Sequence, residues 1–201
     1  MLVYLNGLIL GLSLIMALGP QNVFLIRQGA MRNHPILSAV ICFFCDVILV
    51  LASVAGLHGI MSRHPGLQRW ITWFGVAFLL YYGGSALKRA WQAASTRGAA
   101  GSEASNRLQI IFLALGFSLL NPHAIIDCLV IIGTGSAQFP GHRQAFVLGV
   151  ATSSLLWFSS LTLTTRYFSD VLSRAAVWRR VELLSGLLMV FLSMKLLGSQ
   201  W

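Results

Sequence analysis

Two aspartates, Asp46 and Asp127, stand inside otherwise apolar stretches and are the first residues here that could do chemistry. A carboxylate at membrane depth costs about 2.5–3.5 kcal/mol on insertion scales, and such groups commonly mark substrate or ion paths. His123 precedes Asp127 by four residues, which puts both on one face of a helix. No lysine or arginine is embedded as deeply, so the two acids suit a cationic ligand or a proton relay. The structural alternative pairs them with Arg27 or Arg166 at the ends of spans, or has them share a proton.

Two proline breaks accompany the acids. Asn121-Pro122 interrupts the apolar run 110–132, and Gly19-Pro20-Gln21-Asn22 interrupts the run 2–26. Proline removes an amide donor and clashes with the preceding turn. Backbone groups freed in this way cannot face lipid, so each break must line protein or a wet cavity. Proline also fits the first turn of a helix, so a half-helix can start at Pro20 with its amide end open to a carboxylate. Gln21, Asn22 and Asn121 add amide donors and acceptors, and the face of Trp157 could hold a cation. The plain alternatives are a structural kink for each break and core or lipid packing for Trp157. The hydroxyls of Thr152, Ser153, Ser154, Ser159, Ser160, Thr162 and Thr164 around Trp157 are expected to bond back to their helix or across helices.

Cys42, Cys45 and Asp46 fall at i, i+3 and i+4, and His123, Asp127 and Cys128 could face them as a site for a soft divalent metal. Cysteines in apolar runs are more simply small buried hydrophobes, and the expectation is no metal and no cofactor. Their placement excludes an extracellular disulfide framework. No nucleophile, base and orienting group form a set, so an enzyme is not expected.

Of 201 residues, 57% are hydrophobic and 9% charged, and the mean hydropathy is +0.78. Soluble domains carry about 25% charged residues, so this is an integral membrane protein. The formal charge of +9 sits between apolar segments, where basic residues set topology and meet anionic headgroups. No nucleic-acid recognition module accompanies it. The first run lacks the basic region of a cleaved signal peptide and is long enough to cross a bilayer.

Six apolar segments, about 2–26, 37–61, 70–87, 108–132, 144–165 and 181–199, predict an all-α membrane protein with six transmembrane helices. Ten of the fourteen basic residues fall in the first, third and fifth connections, which puts those in the cytoplasm and both termini outside. A re-entrant first segment would give five spans and a cytoplasmic start instead. Glu103, Asp170 and Glu182 are placed in loops or near a span edge. The Gly/Ala/Ser-rich stretch 93–105 divides one transporter domain, 1–201, into halves of about 1–92 and 106–201. Each half opens with a proline-broken span. Three spans per half force opposite orientations, the inverted-repeat plan of many secondary transporters. The 14-residue spacings from Arg32 to Asp46 and from Arg143 to Trp157 echo one another.

On these residues the chain resembles the LysE/ArgO family of basic amino-acid exporters. The resemblance covers nearly the whole length and rests on Gly19-Pro20-Gln21-Asn22, Cys45-Asp46, Asn121-Pro122-His123 with Asp127, and Trp157-Phe158. Exporters of neutral amino acids typically have Asn-Pro-Lys and an apolar or aromatic residue where this chain has His123 and Asp127. Val23 and Ala124-Ile125 depart from the commoner pattern and leave lysine versus arginine open. The resemblance implies export of L-lysine and/or L-arginine across the inner membrane, driven by protons or another coupling ion. Gly19, Pro20, Gln21, Asn22, Asp46, Asn121, Pro122, His123 and Asp127 would form the functional set. Heavy-metal efflux and neutral amino-acid export are the alternatives. Expected partners are membrane lipids and a homodimeric copy, with no nucleic acid.

Overall fold

The structure, a computed structural model, describes residues 1–16, 19–56, 65–95, 106–120, 125, 128–172 and 174–198. Among them the regular structure is entirely helical. In chain order the helices are α1 (Leu2–Ile15), α2 (Pro20–Ala30), α3 (Pro35–Val54), α4 (Pro65–Ser95), α5 (Arg107–Leu119), α6 (Cys128–Ala137), α7 (Arg143–Tyr167), the single turn α8 (Ser169–Leu172) and α9 (Ala175–Gly198). α6 opens with a π-helical turn, Cys128–Ile132.

By length and apolarity, α3, α7, α9 and the stretch Arg69–Gln92 of α4 can each cross a bilayer. α1 and α2 qualify only together, with a 78° bend between them. α5 and α6 are each too short to cross alone. Among the described residues this membrane protein is thus all-helical, with four long apolar helices and a fifth, bent candidate span.

The bend follows from sequence. Gly19 is extended (φ −109°, ψ 173°), and Pro20 takes the first helical position of α2, which lacks an amide to satisfy. In the second half α5 stops at Leu119, and the next described helix, α6, runs Cys128–Ala137. Asn121, Pro122, His123 and Asp127 lie outside the described residues.

α1 packs along α7, and α4 along α9. Lipid tails are as apolar as side chains, so such pairs associate through close approach of small residues. Gly7 and Gly11 of α1 meet Phe146 and Ser153 of α7, while Gly149 of α7 meets the Tyr4 carbonyl. A Cβ at Gly83 would sit 3.2 Å from the Gly186 carbonyl, and one at Gly186 3.0 Å from the Gly83 carbonyl. Further along α7, Gly29 of α2 meets Thr165. The bent α1–α2 segment therefore follows α7 from Gly149 to Thr165, a rise of about 24 Å.

The pairings form a pattern. α1 and α2 lie on α7, α5 and α6 lie on α3, α3 crosses α7, and α4 pairs with α9. The main core gathers Phe24 and Leu25 of α2, Cys42 of α3, Val76 and Leu79 of α4, Ala114 and Phe117 of α5, Phe158 of α7 and Met189 of α9. Phe117 anchors it, with ring centroids 4.9 Å from Phe78 and 5.3 Å from both Phe24 and Tyr82. Offset and edge-on ring contacts of this kind add about 0.5–1.5 kcal/mol each beyond burial.

Two expectations change. The third segment, read as 70–87, is the 31-residue helix α4, because Lys88 and Arg89 continue the helix past its apolar part. Glu182, placed near a span edge, is 3% exposed inside α9. Arg89 of α4 donates to both its carboxylate oxygens (3.2 and 3.1 Å), and Arg27 of α2 lies 3.9 Å away. Arginine's planar fork suits a buried carboxylate, and without that pairing the charge could not be kept there. These contacts, with Arg32 on Ser169 and Asp170, bring the basic first, third and fifth connections to one end of the molecule.

Candidate functional site

The site is built where α2 begins. A helix start leaves its first amides without intrahelical partners, and the first backbone bond of α2 runs from Val23 N–H to the Gly19 carbonyl at 3.2 Å. No side chain caps this end. The first side chains after Pro20 are both amides, and each reaches a different neighbour.

Gln21 points to α3. Its Nε2 donates to Asp46 Oδ1 at 3.1 Å. The other carboxylate oxygen, Oδ2, accepts from Ser154 Oγ of α7 at 3.3 Å. Asp46 is thus held at the α3–α7 crossing by two neutral donors from two further helices. Among the described residues no ion pair to Asp46 occurs, and Arg27 is committed to Glu182. The structural alternative of an Arg27–Asp46 pair is therefore not what the fold uses. Both donors to Asp46 are thus uncharged.

Asn22 points the other way and is 3% exposed. Its Nδ2 donates to the Ile15 carbonyl at 2.8 Å, and its Oδ1 accepts from the Trp157 indole at 3.1 Å. The last carbonyls of a helix are orphaned, and Asn22 satisfies one across the break. It therefore joins the two half-helices and ties them to α7. Trp157 is half-buried against the main core. Its indole N–H is used in this bond, and the bond also fixes the ring beside the start of α2.

Of the expected site residues, the structure brings Gly19, Pro20, Gln21, Asn22, Asp46 and Trp157 together. Asn121, Pro122, His123 and Asp127 are outside the described residues, but their flanks are held close to α3. Ile125 packs with Leu129 against Leu49 and Ala52. Ser53 Oγ lies 3.0 Å from the Cys128 carbonyl and 3.1 Å from that of Leu129, at the π-helical start of α6. Single π turns often occur at functional sites.

Ser154 was not singled out by sequence reasoning. Thr152, Ser153 and Ser160 of the same helix each bond back to a carbonyl three or four residues earlier, at 2.7–2.9 Å. Ser154 departs from them because it stands opposite Asp46. Cys42 and Cys45 are 0% and 3% exposed, with free thiols. Among the described residues no group of three His, Cys, Asp or Glu converges as a metal site would require.

The sequence has counterparts among known proteins. The profile of the family described as LysE type translocator matches residues 12–200. The chain is 37% identical to the arginine exporter protein ArgO of Yersinia enterocolitica over 96% of this chain and 95% of that one. It is 36% identical to ArgO of an Enterobacter species, covering 96% and 92% of the two chains. To the lysine exporter LysE of Corynebacterium diphtheriae it is 34% identical over 98% and 99%. No solved structure matches. The profile covers nearly the whole chain, and these relatives match it over more than nine-tenths of both lengths, so this multi-pass membrane protein belongs to the LysE family of translocators.

Proposed function

We propose that the chain is a secondary exporter of basic amino acids, L-arginine and/or L-lysine, across the bacterial inner membrane. The observation that carries this reading is Asp46: a carboxylate in an apolar span, held by Gln21 and Ser154, with no cation on it among the described residues. The relatives named for arginine and lysine export agree with it.

In this reading the ammonium or guanidinium of the cargo docks on Asp46, where charge-assisted bonds are stronger than those from neutral donors. Asp127 is the second acid and receives the α-amino group. The cargo carboxylate meets the open amide end of α2, with Asn22 and Asn121 nearby. Trp157, held by Asn22, closes one wall.

The fold pattern supports alternating access between two inverted repeats. Exchanging α1 with α5, α2 with α6, α3 with α7 and α4 with α9 reproduces the same pairings. Asp46 and Trp157, related by the 14-residue echo, both belong to the site. The course of α1–α2 along α7 supports one complete crossing rather than a re-entrant loop. Arg27, Arg89 and Glu182 tie the halves together at the basic end and must part when that side opens.

Proton exchange suits the energetics. Moving a bare cation out against a negative interior costs about 2.3 kcal/mol per 100 mV, whereas one-for-one exchange with a proton moves no net charge. Heavy-metal efflux is disfavoured because Cys42 and Cys45 are shut inside the core.

The test is counterflow in proteoliposomes with radiolabelled L-arginine, L-lysine and L-leucine. The basic amino acids are expected to exchange and leucine to remain outside. Exchange of leucine without exchange of either basic amino acid would overturn the proposal.

A further inference from the structure

At the basic end of the molecule, a cleft of about 330 Å³ opens between the turn joining α2 to α3 and the end of α7. Its walls are Arg32, His34, Pro35, Ile36, Leu37 and Arg166. The transport site uses none of these residues. We propose that this cleft binds the phosphate of an anionic phospholipid headgroup from the cytoplasmic leaflet.

Four observations converge on it. The cleft carries two guanidiniums from distant parts of the chain, and arginine is the side chain best matched to phosphate. Arg32 is held in place, its Nε donating to Ser169 Oγ at 2.8 Å and its Nη2 to Asp170 Oδ1 at 3.2 Å. Asp170 offsets one of the two charges, which leaves the cleft cationic.

The backbone is the second observation. Arg32 and His34 both have left-handed conformations, with φ of 52° and 49°. At Arg32 this conformation ends α2, with its N–H on the Gly29 carbonyl at 3.2 Å and that of Asn33 on the Gln28 carbonyl at 3.0 Å, and it fixes the backbone that carries the guanidinium at the cleft. Third, Ile36 and Leu37 belong to the first turn of α3, whose end has no side-chain cap. Helix starts leave such amides unpaired and favour anions.

The fourth is position. The cleft sits where the apolar span α3 starts, and Ile36 beside it is 61% exposed. A phosphate here would have its acyl chains along an apolar helix face. A soluble anion would make no use of that face. Basic pockets between helices on the cytoplasmic side are suited to such headgroups.

Native mass spectrometry tests this on the full chain, purified from vesicles of equal phosphatidylcholine and phosphatidylglycerol. Wild type is expected to retain one phosphatidylglycerol through mild delipidation. The Arg32→Gln/Arg166→Gln variant should retain it roughly 30-fold less, from the loss of two interfacial cations. Arg166→Gln alone leaves the Arg32–Asp170 pair intact and so keeps the fold testable; a partial loss is expected. Arg174→Gln/Arg179→Gln, outside the cleft, should change nothing. Undiminished retention in the cleft variants, or an equal loss in the control, overturns the proposal. So does binding of inorganic phosphate by lipid-free protein with the same dependence on both arginines, since the ligand would then be a free anion.

Discussion

Trp157 Nε1 lies 3.1 Å from Asn22 Oδ1, although 135 residues separate them in the chain. The same asparagine bonds the Ile15 carbonyl at 2.8 Å, so one side chain closes the break in the first apolar segment and fastens it to α7. Asn22→Leu removes both bonds and strands a carbonyl. Net hydrogen bonds contribute about 1 kcal/mol each, and an unsatisfied buried group costs about 1–3 kcal/mol. The variant should lose about 2–4 kcal/mol of stability, read as a lowered melting temperature in detergent. Trp157→Phe should lose about 1 kcal/mol.

The two acidic pairs at the basic end should differ sharply. Glu182 is 3% exposed, whereas the Asp170 side chain is 88% exposed. Among the described residues Arg89→Ala leaves the buried carboxylate only Arg27, at 3.9 Å, and breaking a buried pair costs about 3–5 kcal/mol. The partial exposure of Arg89 puts the expectation at the lower end. Arg32→Ala breaks an exposed pair worth about 0–1 kcal/mol and one hydrogen bond to Ser169 worth about 1 kcal/mol. Thermal unfolding of both variants side by side should give the larger drop for Arg89→Ala.

Small residues at the α1–α7 crossing should tolerate no enlargement. A Cβ on Gly149 would run into the Tyr4 carbonyl, while one on Gly84 meets nothing within 4 Å. Gly149→Ala is therefore expected to force α1 off α7 and to cut the yield of folded protein. Gly84→Ala should be neutral or slightly stabilising, by about 0.5–1 kcal/mol. Size-exclusion profiles of the two variants compare them directly.

Orientation follows from where the arginines gather. With the basic connections in the cytoplasm, a single cysteine replacing Asn33, in a variant lacking the native cysteines, should react with a membrane-impermeant thiol reagent only from inside. One replacing Gly141, in the connection between α6 and α7, should react only from outside. The reverse labelling would invert the topology.

Much of this site was legible because a polar group in an apolar run has few excuses. Asp46, Gln21, Asn22 and Trp157 declared themselves in that way, and Pro20 marked the start of a half-helix. Ser154 did not, because its neighbouring hydroxyls are equally suited to bonding their own helix. Only the α3–α7 crossing decides which of them faces Asp46. The burial of Glu182 was not legible for a related reason. Hydropathy records the apolar belt and not the helix, so a carboxylate at the end of the apolar run looked peripheral. Its partner Arg89 comes from 93 residues earlier, on a helix that outlasts its own apolar part. Both ends of α7 fall within two residues of the apolar segment, whereas α4 and the start of α9 extend well past theirs.

Binding to purified protein tests the central claim most directly. Scintillation proximity with radiolabelled L-arginine and L-lysine should detect binding to the wild type that excess L-leucine does not displace. Hydrogen bonds to charged groups contribute about 1.5–3 kcal/mol, so Asp46→Asn should weaken binding roughly 10- to 100-fold while melting like the wild type. Unchanged affinity for both basic amino acids in folded Asp46→Asn protein would contradict the account.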